Sequence, residues 1–191
     1  MSTEVVLASS NAGKAREARA ILGPLGFEVV TLPIWLGDVE TGSTYLDNAR
    51  LKASAAMRML QRPVLAEDSG LEVDALGGLP GPRSARFAGP GSSDADNNAK
   101  LLALLSNTDG AARTARYRAV AVLLFVDGRE VVGEGTFEGA IATAPRGNGG
   151  FGYDPLFLPK GEERTAAELS PQEKDAISHR GAALRALASE L

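Results

Sequence analysis

An α/β fold built on a mixed β-sheet is predicted by two features of the sequence. Short apolar runs such as Val5-Val6-Leu7-Ala8 break into polar loops and then into segments with apolar residues at helical spacing. That alternation is the signature of strands buried on both faces by helices. Later, the β-rich runs 117–126 and 130–137 flank Asp127-Gly128, a dipeptide that accepts the positive φ angles of a tight hairpin. A hairpin inside a βα pattern makes the sheet mixed and leaves room for a second lobe. With 191 residues, 44% of them apolar, the chain can bury its core as one domain or as two lobes on one sheet.

Taken in order, the first strand gives way to Ser9-Ser10-Asn11-Ala12-Gly13-Lys14, and Ala18, Ile21, Leu22 and Leu25 then mark a helix that Gly23-Pro24 and Gly26 stop. A strand–loop–helix junction offers free backbone N–H groups and the positive end of a helix dipole, so an anion is a natural guest beside Lys14. An ordinary turn with a solvated lysine is the competing reading. A Walker P-loop is excluded, because Ala8 and Ala15 stand where Gly and Ser or Thr are required.

A second strand over 27–32 leads through Asp38-Val39-Glu40-Thr41-Gly42-Ser43 to a helix with Thr44 and Asp47 as its N-terminal pair. Its apolar stripe is Leu46, Ala49, Ala53, Ala56, Met57 and Leu60. Asn48 and Lys52 lie off the stripe, four apart on one face. They read as a solvated helix surface, or else as a pair that meets a phosphate or orders the carboxylate of Glu40. A third strand, 63–66, is expected to end in Glu67-Asp68-Ser69-Gly70. Carboxylates at the carboxyl end of a strand in an α/β sheet commonly hold Mg²⁺ against a phosphate. The period of 2 sends Glu67 and Asp68 in opposite directions, so one of them faces the ligand; an acidic turn is the bland alternative.

The Gly/Pro-rich loop over 77–93 is long enough to be functional or an interface. Ser93 and Asp96 cap a helix expected to bury Ala99, Leu101, Leu102, Leu104 and Leu105. Four glycines and two aromatics then share the stretch Gly147-Asn148-Gly149-Gly150-Phe151-Gly152-Tyr153-Asp154-Pro155. Such glycines let a ligand approach the backbone closely, and the aromatics suit a flat ring, so a nucleotide is the leading ligand. Ser170-Pro171-Gln172-Glu173 is a well-specified helix start. His179, the sole histidine, sits beside Arg180 and before Gly181, a position expected to be more exposed than a core histidine. A final helix carries Leu184, Leu187 and Leu191.

Composition narrows the partners. A net charge of −4 and a pI near 5.1 give no cationic field for a DNA or RNA backbone, so a nucleic-acid polymer is disfavoured. The absence of cysteine removes disulfides, thiol nucleophiles and cysteine-rich zinc sites together. No leader pattern and no long apolar run is present, and the expectation is a soluble cytoplasmic protein with no membrane partner.

The ordered set Ser10-Asn11-Ala12-Gly13-Lys14, Glu40-Thr41-Gly42 with Asn48 and Lys52, Asp68-Ser69-Gly70, Gly149-Gly150-Phe151-Gly152-Tyr153-Asp154-Pro155, Lys174 and Ser178-His179-Arg180 resembles one family closely. That family is the inosine/xanthosine triphosphate pyrophosphatases, the HAM1 or RdgB type of non-canonical purine NTP pyrophosphatase, and the likeness runs from about residue 5 to residue 188. It departs at Glu67, where members of the family often carry Asp. The resemblance implies an elongated mixed sheet flanked by helices, with two lobes and an active-site cleft between them, usually in a homodimer. It also implies Mg²⁺-dependent hydrolysis of ITP, dITP or XTP to the monophosphate and pyrophosphate. By the same resemblance, Glu40 and Asp68 hold the metal and Asp68 accepts a proton. Lys14 and Lys52 act on the phosphates with Ser9, Ser10, Asn11, Ala12 and Gly13, and Ser69 binds substrate. Phe151 lies against the base, Gly152, Tyr153 and Asp154 shape the ribose or base pocket, and Lys174, His179 and Arg180 line the polar edge of the purine. The motif stretch 147–155 therefore reads as the wall on the base side rather than as a phosphate cradle. A pyrophosphatase for other modified nucleotides and a nucleotide-binding module without turnover are the alternatives, and the 77–93 loop is the expected dimer contact.

Overall fold

The computed structural model describes residues 2–9, 11–31 and 40–191. Its regular elements are β1 (Thr3–Leu7), α1 (Ala12–Leu22), β2 (Phe27–Thr31), α2 (Tyr45–Leu60), β3 (Val64–Val73), α3 (Asp94–Leu104), β4 (Thr114–Leu124), β5 (Glu130–Ile141), β6 (Phe157–Pro159), α4 (Pro171–Ile177) and α5 (His179–Ala188). The six strands are ordered β2-β1-β3-β4-β5-β6. β1 runs parallel to β2 (Val5 opposite Val29) and to β3 (Val6 opposite Val64), whereas β5 and β6 are antiparallel (Gly139 opposite Pro159), so the sheet is mixed as expected. β4 and β5 join through the turn expected at Asp127-Gly128, with Gly128 at φ 89°. No helix among the described residues is long and apolar enough to cross a membrane.

The chain divides into two compact units, one formed by 1–68, 119–135 and 179–191 and the other by 69–118 and 136–178. In the first unit, strand periodicity sorts the core into two clusters. Val5, Leu7, Leu65, Ala119, Ala121 and Leu123 pack with Ala15, Ala18 and Leu22 of α1 and Ala183, Leu184 and Leu187 of α5. The alternate residues Val6, Val64, Ala66, Val120 and Val122 pack with Tyr45, Ala49, Ala53 and Ala56 of α2. The result is a helix–sheet–helix sandwich in which parity along a strand decides which helices a side chain meets. α5 lies hard on β5: a Cβ at Gly135 would stand 2.1 Å from the His179 carbonyl oxygen, and one at Gly133 2.1 Å from that of Ala183.

In the second unit one face of the sheet is covered. Leu71, Val73, Ala115, Tyr117, Phe137, Ile141 and Phe157 pack with Leu101, Leu105, Tyr153 and Leu156, and the rings of Tyr117 and Phe137 tilt against Phe157 at centroid distances of 4.8 and 5.0 Å. The residues of opposite parity are charged and paired, as in Arg116 with Asp74 (2.9 Å) and with Glu138 (3.3 Å).

Several expectations are corrected. The third strand does not stop before Glu67 but continues to Val73. Both carboxylates are buried against cations, so their charge does not end the strand. Ala99 and Leu104 of α3 face solvent, and Asn97 takes the buried place between Leu101 and the preceding loop, bonding Ala88 N–H (2.8 Å) and the Ala85 carbonyl (3.2 Å). The 77–93 loop contains a 3₁₀ segment, Gly81–Arg86, that buries Ser84. Gly181 does not interrupt its helix, because α5 starts at His179 and carries the glycine within it; Leu191 lies beyond its end and is exposed. Leu32 of the second strand and positions 38 and 39 of the following loop lie outside the described residues.

Candidate functional site

In the first unit, parity on β3 builds two polar constellations from adjacent residues. Glu67 shares its side of the sheet with Leu65 and meets α1 and α5. Asp68 shares its side with Ala66 and meets α2.

Both oxygens of Glu67 accept from Arg180 Nε at 2.9 Å, and Lys14 Nζ stands 3.4 Å away. Glu17 approaches the Arg180 guanidinium at 3.6 Å. Burial opposes charge on Glu67, but the Lys14 and Arg180 cations outweigh it and hold the carboxyl down at about 2. At the start of α1, Asn11 caps the helix: its Oδ1 accepts from Gly13 N–H (2.9 Å) and Lys14 N–H (3.1 Å), while its own N–H meets Ser9 Oγ (3.2 Å). The Gly13 amide, expected on a phosphate, is thus used by the cap. Ala12 opens the helix, and Ser10 lies outside the described residues.

Asp68 is held by both of its oxygens. Oδ2 accepts from Asn48 Nδ2 at 3.1 Å and Oδ1 from Lys52 Nζ at 2.9 Å; Lys52 also donates to Glu40 Oε1 at 2.9 Å. Burial pushes the Asp68 carboxyl up, against the opposing pull of Lys52. Burial alone would lower the pKa of Lys52, but Asp68 and Glu40 raise it above the ordinary value, so the ammonium stays charged. Asn48 and Lys52 are therefore not a solvated face: Asn48 is fully buried and the Lys52 side chain is 12% exposed.

The expected base-side residues Phe151, Gly152, Tyr153, Asp154 and Lys174 lie together in the second unit, and Ser69 is half-buried at its start. Phe151 is 54% exposed, with Lys174 Nζ 4.7 Å from its ring centroid. Asp154, buried, accepts from the Phe151 N–H (2.8 Å) and from Lys174 Nζ, so one carboxylate fixes both. A Cβ at Gly150, whose φ is 73°, would fall 2.1 Å from Asp154 Oδ2. Glycine here makes room for the carboxylate. Tyr153 is 3% exposed, with its hydroxyl donating to the Ser84 carbonyl at 2.8 Å. The expected exposure of His179 is not found, since it is 6% exposed at the start of α5.

Sequence reasoning missed Glu17, Asp94 and Asn98. Asp94 Oδ2 accepts from Gly152 N–H (2.7 Å) and Asn98 Nδ2 donates to Gly152 O (2.9 Å), so α3 pins the glycine-rich stretch. Their spacing of four along a recognised helix was the available signal. Glu17 sits among alanines on the inner face of α1, and a carboxylate there was a sign of a buried partner.

Comparison with known proteins identifies the family. The model of the Ham1 family matches residues 5–190. A dITP/XTP pyrophosphatase of Methylococcus capsulatus is 48% identical over 100% of this chain and 97% of its own, and one of Geobacillus kaustophilus is 52% identical over 96% and 92%. Among solved structures, a HAM1 protein from Coxiella burnetii superposes with a TM-score of 0.88 at 41% identity, covering 98% of each chain. A nucleoside-triphosphatase / dITP/XTP pyrophosphatase from Mycobacterium abscessus gives 0.80 at 44% identity, covering 99% of this chain and 98% of that one. With a family match over nearly its whole length and relatives at about half identity, this chain belongs to the Ham1 family.

Proposed function

We propose that the protein hydrolyses the non-canonical purine nucleoside triphosphates dITP, ITP and XTP at the α–β phosphoanhydride bond, as a cytoplasmic homodimer in which each chain works as one domain. The observation that carries this reading is the pair of carboxylates, Glu40 and Asp68, converging on one cation, the Lys52 ammonium, at 2.9 Å each. The names borne by the relatives select the reaction and the substrates.

Two acids facing one cationic position suit Mg²⁺, which takes one or two carboxylates and completes its shell with water and phosphate oxygens. Among the described residues no group of three or more His, Cys, Asp or Glu side chains could hold a metal ion. Bound by Glu40 and Asp68, Mg²⁺ would supply charge neutralisation and a more acidic water.

The protein groups then divide the work. A water oxygen bonds to the α-phosphorus, the bond from that phosphorus to the bridging oxygen breaks, and pyrophosphate departs with the electron pair. Asp68 takes the water proton. Lys14 and Lys52 offset the charge on the phosphates. Phe151 stacks on the base, with Asp154 keeping Lys174 beside it. A donor such as Lys174, held beside Phe151 by Asp154, turned toward the C6 oxygen of hypoxanthine or xanthine would leave the amino group of adenine unpaired, a penalty of about 1–3 kcal/mol.

The test is product analysis with dITP and Mg²⁺. Pyrophosphate and dIMP are expected, with slower turnover of ATP and dUTP and loss of activity in Asp68→Asn. Orthophosphate release would make the protein a phosphatase, and tight binding without turnover would make it a sensor.

A further inference from the structure

Asn48 is a buried polar residue of α2, and it is used from both ends of its amide. Oδ1 accepts the Gly42 N–H at 2.8 Å, and Nδ2 donates to Asp68 Oδ2 at 3.1 Å. One helical turn later Lys52 repeats the pattern with charge, joining Glu40 Oε1 and Asp68 Oδ1 at 2.9 Å each. Each oxygen of Asp68 is therefore held by a different residue of α2, and each of those residues also holds the segment 40–42. Residues four apart share a helix face, so α2 acts as a jig that sets one carboxylate against the other. The fit leaves no slack, since a Cβ at Gly42 would stand 2.5 Å from Asp47 Cβ and 2.8 Å from Asn48 Oδ1.

We propose that Asn48 is a positioning residue for turnover, fixing the rotation of the Asp68 carboxylate and, through Gly42, the placement of Glu40; the proposal rests on the hydrolytic reading above. Lys52 alone cannot do this. An ammonium attracts a carboxylate in any rotation, whereas the planar amide fixes which Asp68 oxygen meets position 48 and leaves Oδ1 to Lys52. The residue must also donate on one side and accept on the other. Aspartate at 48 would keep the Gly42 bond but turn a like charge on Asp68, and alanine would lose both bonds.

The experiment is a double-mutant cycle of Asn48→Ala and Asp68→Asn, with Asn48→Ser run in parallel in case the alanine variant does not fold. Thermal unfolding identifies the folded variants. kcat and KM are measured with dITP, and Mn²⁺ binding is read by electron paramagnetic resonance without nucleotide. Partners that orient a metal-binding carboxylate typically matter by about 10–100-fold, so kcat and Mn²⁺ affinity should each fall by about that factor while the KM for dITP moves less than about threefold. In the Asp68→Asn background, the Asn48 substitution should change the residual rate by less than about threefold, because its route of action is already gone. The same loss on both backgrounds, or an unchanged Mn²⁺ affinity, overturns the proposal. If the unaltered protein releases no pyrophosphate from dITP, the hydrolytic reading itself fails, and the Mn²⁺ arm still decides whether Asn48 sets the carboxylate pair.

Discussion

Glu67→Gln isolates the buried charge cluster on the α1 and α5 side of β3. The substitution keeps the shape of the side chain and removes its charge, leaving Arg180 and Lys14 without the anion they share. The native carboxyl is held at about 2 instead of 4.5, which at 1.36 kcal/mol per unit corresponds to about 3 kcal/mol of stability at neutral pH. A direct count agrees in size, since breaking one partner out of a buried ion pair costs about 3–5 kcal/mol. The pH dependence has a definite sign. The folded-state pKa is depressed, so the contribution is complete above the unfolded value and disappears as pH falls toward the folded value. The stability gap between the two proteins should be full at pH 7, narrower by about 1 kcal/mol at pH 3.5, and nearly closed close to pH 2. Urea unfolding followed by circular dichroism, in EDTA, measures the gap at each pH. A gap below about 1 kcal/mol at pH 7, or one that does not narrow between pH 7 and 3.5, refutes the assignment of Glu67 as the anion that the two cations share.

The remaining predictions separate packing from ligand contact. Phe151→Ala should raise the KM for dITP about ten- to a hundredfold, the value of one base stacked on an aromatic ring, with stability nearly unchanged because the residue is mostly exposed. Tyr153→Phe should do the reverse, costing about 1 kcal/mol in urea unfolding through the lost bond to Ser84 and leaving KM unaltered. Gly135→Ala drives a methyl group into the α5 backbone, where no side chain can yield, and should destabilise the protein by about 3 kcal/mol or more while lowering kcat as the helix carrying Arg180 is displaced. Far-UV melts and dITP kinetics on the same preparations check both effects.

What could be read from the sequence was whatever depends on local chemistry. The caps at Thr44, Ser93 and Ser170 and the Asp127-Gly128 turn depend on residues within a few positions of one another. The helix stripe of α2 was legible for the same reason. The parts that were misread depend on partners far along the chain. Asn48 and Lys52 looked solvated because the acid that buries them is 20 and 16 residues away. The third strand appeared to stop at Glu67 because the arginine that neutralises it lies 113 residues on. Nothing local marks Tyr153 as anchored, because the 3₁₀ segment that takes its hydroxyl lies 69 residues earlier. Sequence shows which residues carry charge or rings, and only the fold shows which of those are already spoken for.

Parity along β3 shows how a change of one methylene can be tolerated beside a residue as constrained as Asp68. Glu67 and Asp68 are adjacent in sequence but belong to different layers, one bonded to α1 and α5 and the other to α2. A longer acid at 67 therefore alters how Arg180 and Lys14 are held without touching the Asn48–Asp68–Lys52 arrangement. A one-residue slip of β3 would exchange the two acids between layers, placing Asp68 against Arg180 and removing it from Lys52 and Glu40. The apolar neighbours oppose that slip, because Leu65 packs in the layer that holds Leu22, Leu184 and Leu187 and Ala66 in the layer that holds Ala49, Ala53 and Ala56, so exchanging them would leave a gap in the first and overfill the second. The register that packs the core is thus the same register that delivers one acid to the cation cluster and the other to the carboxylate pair.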